Sequence, residues 1–331
     1  MPTNYLYANA LTSEAVAANN RGDNVGNTTT LQKVFHQDDV HTSVSAEAIR
    51  FAYRYRFQLE NSDLVNRSFN SGTGKIEYKD DKISYWNDPK SNLIYIDDDL
   101  MGFMDAESAK KEKEDQLTEE VEQETTKSKK KGKPKGKVTK RQSPLAVGRS
   151  VSLRPYRGEI SFNCKSGEKE KGKLSLYNAE MHTTEYQYFI GLNLGDVVKK
   201  EHISYLLDAV IDPPQVAGNH SRFAYDFSPA SIVFRLTNAH SSRIQNCFEH
   251  DEENQTFTVQ KLIRRVKSQD IPAKELIIAG DIADTKEGEI LKKLGVSVLD
   301  GVYAAAAEVR NRIAQLSDEY KLLAPKKEDD K

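Results

Sequence analysis

SVSAEAIRFAYRYRFQLE, residues 43–60, is the stretch from which the rest of the chain can be read. Val44, Ala48, Phe51, Ala52, Tyr55 and Leu59 fall at i, i+4, i+7 spacing, which predicts an amphipathic helix with that stripe turned to a core. Ser43 or Ser45 can supply the N-cap, because a serine hydroxyl accepts from a free N–H of the first turn. The opposite face carries Arg50, Tyr53, Arg54 and Phe57, with Glu47 the only acid there.

Strand-like segments lie on both sides of this helix. YLYANALT, residues 5–12, reads as a short strand, and AANNRGDNVGNTTTLQ, residues 17–32, as a Gly/Asn-rich loop leading towards the helix. Further on, SVSLRPYRGEISFN (150–163), EYQYFIGLNL (185–194) and SRFAYDFSPASIVFRLTN (221–238) read as strands. In the last of these Ile232, Phe234 and Leu236 alternate to one face. ELIIAG, residues 275–280, suits a buried strand, and helices are expected at 257–268, 286–294 and 302–323, followed by a frayed tail. Interspersed strands and helices make the class mixed α+β.

Between residues 105 and 143 the composition changes. KKEKEDQLTEEVEQE is mostly charged, and KSKKKGKPKGKVTKR is lysine-rich with no acid. Too few apolar groups are present there to offset ordering entropy, so the segment is expected to lie inside an insertion. Its lysines can lend salt-dependent affinity for phosphates. Over the whole chain 48 Lys+Arg stand against 50 Asp+Glu in 331 residues, so net charge argues neither for nor against nucleic acid. The length allows one domain with large insertions or two domains. No signal-peptide pattern or membrane-length apolar run is visible, which reads as cytoplasmic with no membrane partner. Cys164 and Cys247 fit no zinc or thioredoxin spacing and are expected to be reduced packing residues.

A Gly/Asn-rich turn ahead of a helix presents backbone N–H groups at the positive end of the helix dipole and can receive an anion. Asn19, Asn20, Asn24, Thr42, Ser43 and Ser45 add uncharged donors, and Arg21 and Lys33 add charge. A phosphodiester backbone read without base specificity fits this array. Nucleotide fingerprints do not, since neither GxGxxG nor GxxxxGK[ST] is present. Arg50 and Arg54, one turn apart beside Tyr53 and Phe57, mix cations with flat rings as a single strand requires. Residues 173–189 offer Tyr177 and His182, and GNHSRF, residues 218–223, offers Arg222.

Catalysis finds little support. No HExxH, GxSxG or paired Cys/His arrangement occurs, and His36 and His41 make no metal signature. Asp97, Asp98 and Asp99 could bind a divalent ion, but an exposed charged turn is the commoner reading. Asp23 is the one acid inside the phosphate-binding stretch, where an Asx-turn role competes with a metal or 2′-OH contact.

LTSEAVAANNRGDNVGNTTTLQKV, HTSVSAEAIRFAYRYRFQ, EYQYFIGLNLGDV, RFAYDFSPASIVFRLT and PAKELIIAGDI, in that order, resemble the DevR group of CRISPR-associated RAMP proteins. These are repeated backbone subunits of type I Cascade complexes, and the type I-B variety is the closest match. The resemblance implies a modified RRM-like (ferredoxin-like) palm, a large inserted fingers region and a β-hairpin thumb. The corresponding division is 1–60 for the first part of the palm, 61–150 for the fingers, 151–190 for strands and thumb, and 191–331 for the remaining palm and C-terminal helices.

It further implies a non-catalytic subunit that oligomerises along CRISPR RNA without a cofactor and presents the guide for pairing with target DNA. Its partners would be copies of itself, a large and a small subunit, and guide-end-capping RAMP subunits. Carried over by position, the match supports Asn19, Asn20, Arg21, Thr42, Ser43, Ser45, Arg50 and Arg54 as RNA contacts. Two departures stand out. No RNP1-type aromatic run is present, so the palm sheet is not expected to stack RNA in the usual way, and the glycine-rich RAMP signature is degenerate. Because related backbone subunits of other CRISPR types cut RNA with an aspartate in a comparable loop, a metal-dependent ribonuclease using Asp23 is the alternative.

Overall fold

The computed structural model describes residues 4–18, 20–36, 38–88, 91–104, 140–164, 176–218 and 222–324. Most of the charged segment expected at 105–143, and the tail from residue 325, lie outside the described residues.

Strand β1 (Tyr5–Thr12) leads to the short β2 (Ala15–Ala17), a hairpin of β3 (Asn20–Val25) and β4 (Thr28–Leu31), and a second hairpin of β5 (Lys33–His36) and β6 (Asp39–Val44). Helix α1 (Ala46–Glu60) follows, then the hairpin β7 (Arg67–Asn70) and β8 (Lys75–Tyr78), helix α2 (Ile96–Met101) and β9 (Phe103–Met104). The next strands are β10 (Lys140–Arg141), β11 (Leu145–Val147), β12 (Ser150–Ser152), β13 (Ile160–Cys164), β14 (Leu176–Glu180), β15 (His182–Thr184) and β16 (Tyr186–Asn193). After α3 (His202–Ile211) come β17 (Pro229–Thr237), β18 (Glu249–Asp251), β19 (Thr256–Thr258) and α4 (Gln260–Lys267). The chain closes with β20 (Leu276–Gly280), α5 (Lys286–Lys293), β21 (Ser297–Leu299) and α6 (Val302–Ala314), so the helix expected over 302–323 stops early and resumes as a 3₁₀ turn at Asp318–Leu323.

Among the described residues a nine-stranded sheet organises the molecule, in the order β21-β20-β17-β1-β16-β12-β6-β5, with β11 also paired to β16. β1 runs antiparallel to both β16 and β17. Its side chains alternate between two cores, as a central strand's must. Leu6, Ala8 and Ala10 join Tyr186, Tyr188, Ile190, Ile232 and Phe234 in a layer shared with α1, α2, α3 and α6. Tyr7 and Leu11 join Val233, Leu276 and Ile278 in a second layer with Leu262, Ile263 and Val266 of α4 and Leu291 of α5. Cys247 packs in that second layer.

Helix α1 starts where the sequence allows, with the Ser45 hydroxyl accepting from the Ala48 N–H at 3.2 Å. Its orientation corrects the expected one. Ile49, Ala52, Tyr53 and Phe57 are buried against the sheet, whereas Leu59 is 58 % exposed. Phe51 and Tyr55 instead stack on each other and meet the edge of Phe69 on β7. The chain has aromatics on both faces of this helix, and the sheet takes the face that the spacing assigned to the outside.

Candidate nucleic-acid interface

The stretch 17–32, expected as a loop, is folded as a hairpin. Val25 and Thr28 pair across the two-residue turn Gly26–Asn27, with Gly26 at φ +62° as the first position of a II′ turn requires. β4 then pairs parallel with β14, and β14 antiparallel with β13. The result is a separate four-stranded sheet, β13-β14-β4-β3. Two stretches picked from sequence, 17–32 and 173–189, thus lie side by side.

Glu180 fastens the hairpins together. Its Oε2 accepts from the Leu31 N–H at 2.7 Å and from Lys33 Nζ at 2.5 Å. The Lys33 ammonium also sits 4.9 Å from the centre of the Tyr156 ring. Burial, with Glu180 close by, pushes the Tyr156 phenol up to about 12, so it stays neutral at physiological pH. On the other side the exposed Arg222 guanidinium lies over the Tyr177 ring, 4.4 Å from its centre. The segment carrying Arg222 closes a small apolar slot lined by Ala17, Ala18, Val216, Ala217 and Phe223. Gly218 and Phe223 therefore meet Ala17 and Ala18 at the base of the hairpin, whereas Asn219, His220 and Ser221 lie outside the described residues.

Asn24 and Asp23 are exposed on β3. Asn19 and the side chains of Asn20 and Arg21 lie outside the described residues. Among the described residues no group of three or more His, Cys, Asp or Glu side chains is placed to hold a metal ion.

Behind the hairpins several expected contacts turn inward. The Thr42 hydroxyl is within 2.8 Å of His182 Nδ1 and 2.6 Å of the Tyr186 hydroxyl, with all three side chains buried. Burial lowers the His182 imidazole to about 4, so it is neutral at pH 7 and offers no charge to a phosphate. Ser43 is buried and its Oγ accepts from Arg149 Nη1 at 3.2 Å, while Ser45 is committed to its cap.

Arg50 and Arg54 are the clearest displacement from expectation. Arg50 donates to the carbonyls of Leu145 at 3.0 Å and Met101 at 2.9 Å. Arg54 Nη2 lies 3.4 Å from the Met101 sulfur and its Nε 3.7 Å from Asp97 Oδ2. Tyr53 and Phe57, expected as accessible rings beside them, are at most 1 % exposed. These arginines clamp α1 to α2 and β11, since the helix face that carries them is the buried one.

The acidic triplet of α2 is likewise interior, with Asp97, Asp98 and Asp99 fully buried. Arg67 Nε meets Asp97 at 3.0 Å and Arg67 Nη2 meets Asp98 at 2.7 Å, while the Tyr85 hydroxyl donates to Asp98 at 2.6 Å. Asp99 receives Arg141 at 2.6 Å and His202 Nδ1 at 2.8 Å, together with the N–H groups of Val198 and Lys199. Burial pushes Asp99 up, but the His202 hydrogen bond and those two N–H groups outweigh it and hold the carboxyl below its usual range. Each carboxylate faces donors of this chain, so the triplet is a structural hub rather than an exposed turn.

The CRISPR-associated negative auto-regulator DevR/Csa2 family model matches residues 10–269. A CRISPR-associated protein Cas7/Cst2/DevR of Myxococcus xanthus (strain DK1622) is 37 % identical over 318 residues, covering 93 % of this chain and 97 % of that protein. Solved chains from a CRISPR RNA-guided surveillance complex, and from one in a pre-nicking state, superpose with a TM-score of 0.53 at 12 % identity, covering 92 % of this chain and 99 % of theirs. At that identity the likeness is one of fold. No helix among the described residues is long and apolar enough to cross a membrane.

Proposed function

This chain belongs to the CRISPR-associated DevR/Csa2 family, and from that premise we propose that it is a non-catalytic backbone subunit that lines up in several copies along CRISPR RNA and presents the guide to target DNA. The observation that carries the reading is the four-stranded sheet, which gathers the polar 20–31 hairpin, Tyr177 and Arg222 into one exposed structure beside the main sheet. Polar groups, a ring, and a cation that no ion pair among the described residues neutralises suit a ribose-phosphate strand held without base readout.

The palm is the part built from β1, α1, β11, β16, α3 and β17. An RRM-like palm is supported by the pairing order β17-β1-β16-β11, with both helices in one core layer, which is the order a βαββαβ ferredoxin-like unit would have. Residues 61–150 form the fingers and 151–190 the thumb-like part. RNA contacts fall to Asn19, Asn20, Arg21, Asn24, Lys33, Tyr177 and Arg222. Thr42, Ser43, Ser45 and His182 support that groove from behind, and Arg50 and Arg54 brace the palm against the fingers. The complex includes the large and small subunits and the guide-end-capping RAMP subunits.

The test is to co-express the chain with a CRISPR array, purify it, and map extracted RNA by nuclease protection and sequencing. Array-derived RNA protected in a regular ladder is expected. RNA of random origin, or a ladder that persists when the 20–31 hairpin is replaced by a short glycine linker, contradicts the proposal.

A further inference from the structure

The face of the nine-stranded sheet turned away from α1 carries a feature that the guide-binding reading does not use. Tyr5 and Tyr7 on β1 stack with ring centres 5.8 Å apart and planes 8° apart, and Tyr7 continues onto Phe189 of β16 at 5.9 Å and 24°. His240 meets Tyr5 edge-on at 5.3 Å and its Nδ1 lies 2.9 Å from the Tyr5 hydroxyl. Glycines make room for this ladder. A Cβ at Gly191 would stand 3.3 Å from the Tyr7 ring, and one at Gly148 would stand 3.4 Å from Phe189 Cβ.

A cation is aimed at the same face. Val147 pairs with Ile190 and Val151 with Gln187, so the β11–β12 side has one residue more than β16 over this interval. Such a bulge re-aims a side chain. Here it turns Arg149 to the side of Val151 and Ser43, the side of Gln187 and Phe189, where Arg149 Nη1 reaches Ser43 Oγ at 3.2 Å. Arg149 is exposed, and none of the ion pairs among the described residues neutralises it. Tyr7 is closed over by the 239–240 backbone, which accepts its hydroxyl, but Tyr5 and Phe189 are only half-buried and Ala146 is exposed.

We propose that this face is a second binding surface, on which a single-stranded nucleic acid stacks bases against Phe189 and Tyr5 and places a phosphate at Arg149. Half-buried flat rings at the margin of the second core layer, on the same sheet face as a guanidinium that no ion pair among the described residues neutralises, are the elements of sequence-tolerant single-strand binding. The surface is distinct from the hairpins. These spring from Ala17 and from β5, whose Lys33 pairs with Thr42, and both Ala17 and Tyr186, the partner of Thr42, belong to the layer shared with α1. Reading along the chain finds no compact aromatic run because Tyr5 and Phe189 come from strands at opposite ends of a long insertion.

The probe is a short oligodeoxythymidylate carrying 5-iodouracil, photocrosslinked to the purified full chain without guide RNA. Crosslinked peptides containing Tyr5 or Phe189 are expected. Phe189→Leu should weaken binding about tenfold while Phe189→Tyr retains it, and Arg149→Gln, at an exposed position, should flatten the salt slope by about 0.7. Crosslinks confined to 20–31 and 160–180 overturn this surface and leave the guide-binding reading intact. Unchanged oligonucleotide affinity in both Phe189→Leu and Arg149→Gln, with altered self-association, overturns it in favour of a protein partner.

Discussion

Lys33 Nζ lies 2.5 Å from Glu180 Oε2, so the lysine nearest the hairpin base already has its counter-ion within the protein. A cation so paired releases few counter-ions from RNA, whereas no ion pair among the described residues holds the exposed Arg222 over Tyr177. Arg222→Ala should reduce the salt slope of RNA binding by about 0.7, and Lys33→Ala by clearly less. Titrations with a labelled RNA between low and moderate salt check this, and equal slopes for the two variants would show that RNA displaces Glu180.

Arg67 serves two buried carboxylates at once, Asp97 and Asp98. Removing one partner of a buried ionic set leaves uncompensated charge, a loss of about 3–5 kcal/mol. Arg67→Ala should therefore lower unfolding free energy by that order in urea titrations. Arg50→Ala leaves the Leu145 and Met101 carbonyls short of a donor and should cost about 1–3 kcal/mol. Its RNA salt slope should match that of the wild type, and a flattened slope would return Arg50 to the interface.

Why these groups misled is physical. An Asp-Asp-Asp run looks like surface because its counter-groups, Asn66, Arg67, Tyr85, Arg141 and His202, are spread along the chain and meet only in the fold. The α1 arginines look solvent-facing for the same reason. The polar hairpin β3–β4 lacks the apolar alternation that marks a strand, so Asn, Gly and Thr read as loop. What was legible rested on local pattern: β1, β16, β17 and β20 are apolar runs buried on both faces, and Ser45 begins α1 by its own hydroxyl.

His182 gives the pH dependence. Its imidazole is lowered to about 4 in the folded chain, against 6.5 when unfolded, by burial beside Thr42. Above pH 6.5 both states are neutral and the full contribution is present. As pH falls from 6.5 towards 4 the unfolded chain takes up a proton that the folded chain refuses, so stability is lost. Between pH 6.5 and 5 the wild type should lose about 2 kcal/mol from this group. His182→Asn, measured in the same urea titrations, should show a shallower fall, and parallel curves would place the acid sensitivity elsewhere.

Asp23 decides between a backbone subunit and a ribonuclease. Its carboxylate is on the exposed hairpin, where the neighbouring Thr30 hydroxyl bonds the Asp23 carbonyl rather than the side chain. An exposed carboxylate with no metal-holding group of acids around it among the described residues holds Mg²⁺ weakly, because that ion keeps most of its water and relies on further oxygen ligands, such as a neighbouring subunit or the RNA could supply. With Asp23 non-catalytic, Asp23→Ala should leave RNA binding within about twofold of the wild type or tighten it slightly, since it removes a negative charge from the hairpin proposed to hold phosphates. Wild type and variant assembled on CRISPR RNA should both leave a complementary labelled RNA intact in Mg²⁺ or Mn²⁺. Divalent-dependent cleavage at regular spacing by the wild type, lost in Asp23→Ala while binding survives, would make the chain an enzyme and assign Asp23 its catalytic carboxylate.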